Sequence, residues 1–341
     1  MRQSTIRVTS TLHRALRAAV AATFGVLVLA ACGGGGTAPP PTLLLSNSQG
    51  NNVVSLNSAT SAYLGDFIAA GSGGLTNPDD MTVGPDGHLY VSSGTDTTGQ
   101  ILRYDGQTGA FIDVFAQYPG MKRPYGSAFG PDGHLYVASF RSDQILKFDG
   151  QTGAFLGEFA RGNGTAAGLL NGPDGLYFGP DGRLYVTTQG SVADGNGGIT
   201  YKFDSQILRY NLETGAGAVF APAPAPTLGG NGYISFLGMA WGPDGLLYTT
   251  DYAGGIRSYD PNTGTLQKTI DTGALFGGSI ATTLGNLSIV GETLYVSIFN
   301  EDSTGIVANG VASCDITTST CHLLLSDSTH LNRPIGIAIA P

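Results

Sequence analysis

Oxygen-bearing side chains that interrupt a row of glycines are the first candidates for chemistry in this chain. Four residues before the recurring Gly-Pro-Asp-Gly string stand Gly126, Gly175 and Gly238, with Gly336 in the corresponding place near the end. Asp80 and Asn286 hold that place instead in the remaining copies, and Asp79 and Asp174 lie beside the same row. Carboxylate and amide oxygens that converge on one point can hold a hard divalent cation such as Ca²⁺. The same aspartates also suit turns, where Asp bonds its own backbone. Both readings stay open on the residues alone.

Other polar and aromatic residues fall near the same segments. Arg123, Tyr125, Asp251, Tyr252, Asn300 and Arg333 are candidates for binding, and Phe140, Arg141 and Tyr233 offer stacking to a sugar or peptide. Trp241 directly precedes a turn and reads as core. Histidine is scarce: His13 lies in the N-terminal segment, His88 and His134 flank turns, and His322 adjoins Cys321. His330 alone falls in a connection where a general base could work, with no partner evident in the sequence. No P-loop, HExxH or GxSxG string is present.

The elements that must position these residues come as a repeat. Gly84-Pro85-Asp86-Gly87-His88-Leu89-Tyr90-Val91 returns at Gly130, Gly179 and Gly242, with a worn copy at Gly291 to Val296. A second motif follows each time: Gln100 to Tyr104 runs into Asp105-Gly106-Gln107-Thr108-Gly109, and Gln144 to Phe155 repeats it. Pro-Asp-Gly supplies a turn, with proline fixing φ and glycine taking the left-handed position. Each unit therefore reads as four short strands, with period-two apolar spacing in the last. Such units at this spacing suggest propeller blades.

The two ends set the number of blades. Residues 332–341 look like a first strand with nothing after it, whereas Leu43 to Ser46, Val53 to Leu56 and Tyr63 to Phe67 look like strands two to four. Together they predict one shared blade, and the others span 77–115, 123–160, 171–220, 235–270 and 279–325. The expected fold is all-β: a six-bladed β-propeller of four-stranded blades over residues 42–341, closed by pairing of the C-terminal strand with the N-terminal blade. A closed ring leaves no long free edge, so a monomer is expected. One rim carries short uniform turns; the other carries long variable loops, where function tends to sit.

The pattern resembles the NHL-repeat propellers, including the streptogramin lyase and gluconolactonase-like groups. The second resemblance implies a channel metal held by Glu, Asn and Asp, for which Asp80, Asn286, Asp79 and Asp174 are the available oxygens. No glutamate falls at a clear channel position. The first implies a rim histidine as general base, for which His330 is the candidate. Propellers of this kind also serve as binding modules and scaffolds, and a protein, peptide or glycan partner on the variable rim is the leading expectation.

Composition and the N-terminus give an address. Only 12% of residues are charged, and the chain holds 53 Gly and 17 Pro, which suits short strands and tight turns. Arg2, Arg7, Arg14 and Arg17 precede the uncharged stretch Ala18 to Ala31, the layout of an export signal over residues 1–31. Leu29-Ala30-Ala31-Cys32 resembles the bacterial lipobox, which implies lipidation of Cys32 and a membrane anchor. Gly33 after the cysteine resembles lipoproteins sorted to the outer membrane, facing the periplasm or the cell surface. Residues 32–41 are a Gly/Pro tether. Without the four arginines, 12 basic residues face 25 acidic ones, so nucleic acid is an improbable partner. Cys314 and Cys321 are expected to pair as a disulfide in an oxidising compartment.

Overall fold

The computed structural model describes residues 39–165, 169–224, 236–252, 255–273, 275, 283–299 and 309–341. Cys32, Tyr233 and Asn300 lie outside them. Six four-stranded antiparallel sheets form the blades. Blade 1 is Pro334–Ile339, Thr42–Asn47, Asn52–Asn57 and Tyr63–Ile68, in that order from inside to outside. Blades 2 and 3 start at the inner strands Met81–Val83 and Pro124–Phe129, and blades 4, 5 and 6 at Pro173–Phe178, Phe236–Trp241 and Leu284–Val290.

The repeated residues explain themselves as a turn-and-tyrosine unit. In blade 2 one Asp86 oxygen accepts the His88 N–H at 3.1 Å, and the other accepts the Tyr90 hydroxyl at 2.9 Å. Asp132, Asp181 and Asp244 hold Tyr136, Tyr185 and Tyr248 the same way, at 2.8, 3.1 and 2.8 Å. Each tyrosine ring thus enters the packing between blades while its hydroxyl stays bonded, the condition for burying it cheaply. The glycine that ends each turn sits at positive φ, 77° at Gly87 and 78° at Gly133.

Neighbouring blades share apolar clusters, and the last one closes the circle. Leu43, Leu45 and Ile337 of blade 1 pack on Tyr295 and Val311 of blade 6, while Leu44 and Val53 pack on Met81 and Leu89 of blade 2. The terminal strand pairs Leu43 with Ile339, Leu44 with Ala338 and Leu45 with Ile337. A hydroxyl on the second strand also donates to the next blade's inner-strand carbonyl: Ser92 to Tyr125 (2.5 Å), Thr187 to Leu237 (2.6 Å), Thr250 to Gly285 (2.6 Å) and Ser297 to Ile335 (2.5 Å). Ser46 bonds the Asp79 carbonyl likewise. Blade 3 has Ala138 at that position and lacks the link.

Cys314 and Cys321 form the expected disulfide, facing each other across the outer two strands of blade 6. Closing so short a loop restrains the unfolded chain by about 2–3 kcal/mol. The Cys314→Ala/Cys321→Ser variant should lose about 2–3 kcal/mol of unfolding free energy, read from urea unfolding as a lower midpoint with a denaturant slope that is not reduced.

Candidate functional site

Strand register turns the inner strands into stacked rings of side chains. The residues paired opposite Val91, Val137, Val186, Thr249, Val296 and Leu45 define equivalent places in the blades. One step before them stand Asp80, Gly126, Gly175, Gly238, Asn286 and Gly336. Glycine is needed there because the next blade's backbone is close: a Cβ on Gly336 would lie 2.3 Å from the Asp79 carbonyl oxygen, and one on Gly175 2.5 Å from that of Leu237. One step earlier again, towards the variable rim, comes a ring of Asp79, Tyr125, Asp174, Leu237, Gly285 and Ile335.

This second ring is the floor of a cup of roughly 320 Å³. Gln189, Tyr201, Tyr252, Phe299 and Arg333 form its walls. Its two halves differ in chemistry. Asp79, Tyr125 and Asp174 occupy consecutive blades on one side. Leu237, Phe299 and Ile335, with Tyr252 against them, form an apolar cluster separate from the cores between blades. Tyr125 stacks on Phe140 with ring centres 4.4 Å apart, and the Arg123 guanidinium lies 5.8 Å from the Tyr125 ring centre. Arg333 lies over Phe299 at 5.0 Å and bonds the Ser48 hydroxyl at 3.3 Å.

The backbone at the cup's lip is unusual. Asn77, Arg123 and Arg333 each precede a proline and take φ of 42°, 45° and 56°. Gly172 fills the same place in blade 4 at 63°. A left-handed arginine costs about 1–2 kcal/mol, so Arg123 and Arg333 are held against local preference.

Burial dominates the electrostatics of the cup. Asp79 is 5% exposed and Asp174 3%. Desolvation pushes the Asp79 carboxyl up to about 7; Arg123 and Arg333 pull it down, and Asp80 adds to the rise. Among the described residues no donor bonds its carboxylate, which opens on the cup. Asp174 is also raised, by burial and then by Asp79, although the Gln189 amide donates to it. Burial and then Asp79 raise the Tyr125 hydroxyl too, keeping it protonated.

The folded state holds the Asp79 proton more tightly than the unfolded chain does. The group's contribution is therefore complete below about pH 4 and lost as pH rises towards 7. Asp79→Asn mimics the protonated form. It should stabilise the fold at pH 8 by roughly 2–4 kcal/mol and have little effect at pH 4, as read from urea unfolding at both values.

The ring below brings together the two residues that break the glycine pattern. Asn286 donates its amide to Asp80 at 2.9 Å, and the Met81 N–H reaches the same oxygen at 2.8 Å. Burial raises Asp80 to about 6, while these bonds and one from the Ser127 N–H hold it down. Four of the six positions at this level are glycine, and Asp80 is already met by three donors. Asp79 and Asp174 belong to the cup above it. Ca²⁺ takes six to eight oxygens, and among the described residues no group of three His, Cys, Asp or Glu is placed to hold a metal. Among the described residues these oxygens do not assemble the shell of a divalent cation, and Asp80 with Asn286 forms an internal tie across the channel that leaves the Asn286 Oδ1 buried without a partner.

The structure separates the remaining candidates. Tyr125, Tyr252, Arg333, Asp79 and Asp174 meet at the cup, with Arg123 behind Tyr125. Phe140 is buried beneath Tyr125, and Arg141 is held by Asp96 at 3.2 Å and the Gly197 carbonyl at 2.7 Å, so both brace the wall. Asp251 ends its strand opposite Phe236 but is fully buried in blade 5, where Arg257 bonds it at 2.7 Å. His330 has the partner that the sequence did not reveal, Asp327 at 2.6 Å. However, its ring stacks on Tyr63 at 4.0 Å, on the outermost strand of blade 1. That places it at the periphery of the ring, away from the channel.

Sequence reasoning missed Gln189, Tyr201, Leu237, Phe299 and Ile335. Leu237 and Ile335 were available from the repeat alignment, one step before Gly238 and Gly336. Tyr201 comes from a two-stranded ribbon, Ser191–Ala193 with Ile199–Tyr201, inside a segment that reads as loop.

Among solved structures, the chain is similar to one from a nidogen–laminin complex, with 15% identity, a TM-score of 0.61, and 88% of this chain and 98% of that one covered. It is also similar to a protein of unknown function from Bacteroides caccae (13%, TM-score 0.60, 88% and 99% covered). A streptogramin B lyase shares 16% identity with a TM-score of 0.54, covering 88% of this chain and 87% of that one. These likenesses are of fold. No family model and no curated protein matches the chain.

Proposed function

We propose that this chain is a binding propeller of the cell envelope, tethered by a lipid on Cys32, that receives its protein, peptide or glycan partner at the cup on the variable rim. The observation that carries the reading is the cup itself. A concave site combining an apolar wall with a few convergent polar groups of displaced proton affinity is the usual form of a ligand site. The tether reading draws on the export signal and the cysteine after it. Labelled palmitate should enter the wild type and be lost in Cys32→Ala.

Peptide and glycan arrays probed with the purified protein test the binding role. Leu237→Arg, which fills the cup, should abolish the signal, whereas Arg183→Glu on the opposite rim should leave it. Binding that survives Leu237→Arg would place the site elsewhere.

A second reading, a lyase working in the same cup, is favoured by one observation. Asp79 and Asp174 are two carboxyls whose surroundings displace their proton affinities, the arrangement that assigns acid and base roles. Turnover of an array ligand that is abolished by Asp174→Asn would select it.

A further inference from the structure

The two halves of the cup specify more than a binding site. We infer that the cup takes a protonated primary amine carried on a small apolar or aromatic body, with the ammonium between Asp79 and Asp174 and the body against Leu237, Phe299, Ile335 and Tyr252. The inference rests on the proposed binding role and names its ligand chemistry.

Asp79 is the decisive residue. It is 95% removed from solvent, it faces the cup, and no donor among the described residues meets its carboxylate. A buried carboxylate without donors is costly and gains most from a cation that brings its own N–H groups. Asp174 lies across Tyr125 and, among the described residues, takes only the Gln189 amide, so it can accept further. An ammonium donates three hydrogen bonds and accepts none, which matches acceptors in excess. The aromatic rings around the cup add attraction for a cation.

The opposite wall rejects charge. Leu237, Phe299 and Ile335 are each at most 6% exposed and present carbon to the cavity. A sugar would leave hydroxyls unpaired there. At roughly 320 Å³ the space lies at the small end of ligand pockets and accommodates one compact group. A free amine and the N-terminal residue of a peptide share this chemistry, and experiment can separate them.

Calorimetry with the full folded chain tests the inference. The probes are phenethylamine, its neutral counterpart phenethyl alcohol, the anion 3-phenylpropionate, and a hexapeptide beginning with Phe, free or N-acetylated. The amine is expected to bind at least tenfold more tightly than the alcohol, and the anion not at all. Among the described residues the groups facing Asp79 are Asp80, Arg123, Tyr125, Asp174 and Arg333, and the arginines and the amine stay charged from pH 5.5 to 8.5. Ionisation of the buried carboxyls then governs the profile: with Asp79 near 7, its ionisation alone should raise affinity roughly fifteenfold between pH 5.5 and 7 and about twofold more by pH 8.5, and ionisation of Asp174, also raised by burial, adds to the rise.

Asp79→Asn and Asp174→Asn should each weaken the amine at least tenfold and flatten the pH dependence. Asp79→Asn is expected to be the more stable protein, so its loss of binding cannot be loss of folding. Tighter binding of the free-N-terminal hexapeptide than of phenethylamine, with loss on acetylation, would identify a peptide terminus as the source. Equal binding of amine and alcohol, preference for the anion, or no binding of any probe would overturn the inference. The array result with Leu237→Arg would still decide the binding role independently.

Discussion

Deleting residues 334–341 is expected to abolish cooperative unfolding. The deletion removes the inner strand of blade 1 and uncovers Leu43, Leu44 and Leu45, each at most 1% exposed. It also strips Tyr295 and Val311 of their cover on the other side. Ile335, Ile337 and Ile339 alone represent about 6 kcal/mol of burial, comparable with the whole stability of many domains. The freed edge of Thr42–Asn47 would then pair with other chains. The truncated protein should aggregate and show no sharp thermal transition by circular dichroism. A peptide of residues 332–341 added in trans should restore part of the transition by strand addition.

Asp251→Ala is expected to destabilise the fold by about 3–5 kcal/mol, because it leaves a buried guanidinium without its counter-ion. Arg257 is 2% exposed, and its other side-chain hydrogen bond among the described residues is to Thr269 at 3.5 Å. The paired replacement Asp251→Leu/Arg257→Met removes both charges and should recover most of the loss. Urea unfolding of the single and double variants reads the coupling. Binding at the cup should follow stability alone in both, since neither residue reaches it.

How much could be read beforehand depends on where each signal is written. The turn-and-tyrosine unit is local: Asp86 and Tyr90 lie four residues apart and bond each other, so each copy announces its own hairpin. Closure was legible because the missing strand at one end matches the extra strand at the other. Asp80 and Asn286 stood out against glycine, and register brings them into contact across 206 positions of sequence.

The cup was only half legible. Its floor follows the repeat, but its walls come from connections of unequal length that carry no period. Gln189 and Tyr201 reach the cup from the segment between Thr188 and Gln206, and Phe299 from the end of its strand. Radial position was hidden as well. His330 lies in a connection on the variable rim, and only its stacking on Tyr63 shows that it faces outward. The burial of Asp251 was hidden for a related reason: a strand-end aspartate reads as exposed until Arg257, six residues later, is seen bonding it.

A pH titration of the aspartate carboxyl carbons by nuclear magnetic resonance, assigned with Asp79→Asn, Asp80→Asn and Asp174→Asn, tests the claim beneath all of this, that the ring encloses a water-poor cup with poised carboxyls. The expected result is a midpoint near 7 for Asp79, near 6 for Asp80, and well above the ordinary range for Asp174. Midpoints near 4 for all three would mean that water fills the mouth of the ring, and would contradict the site.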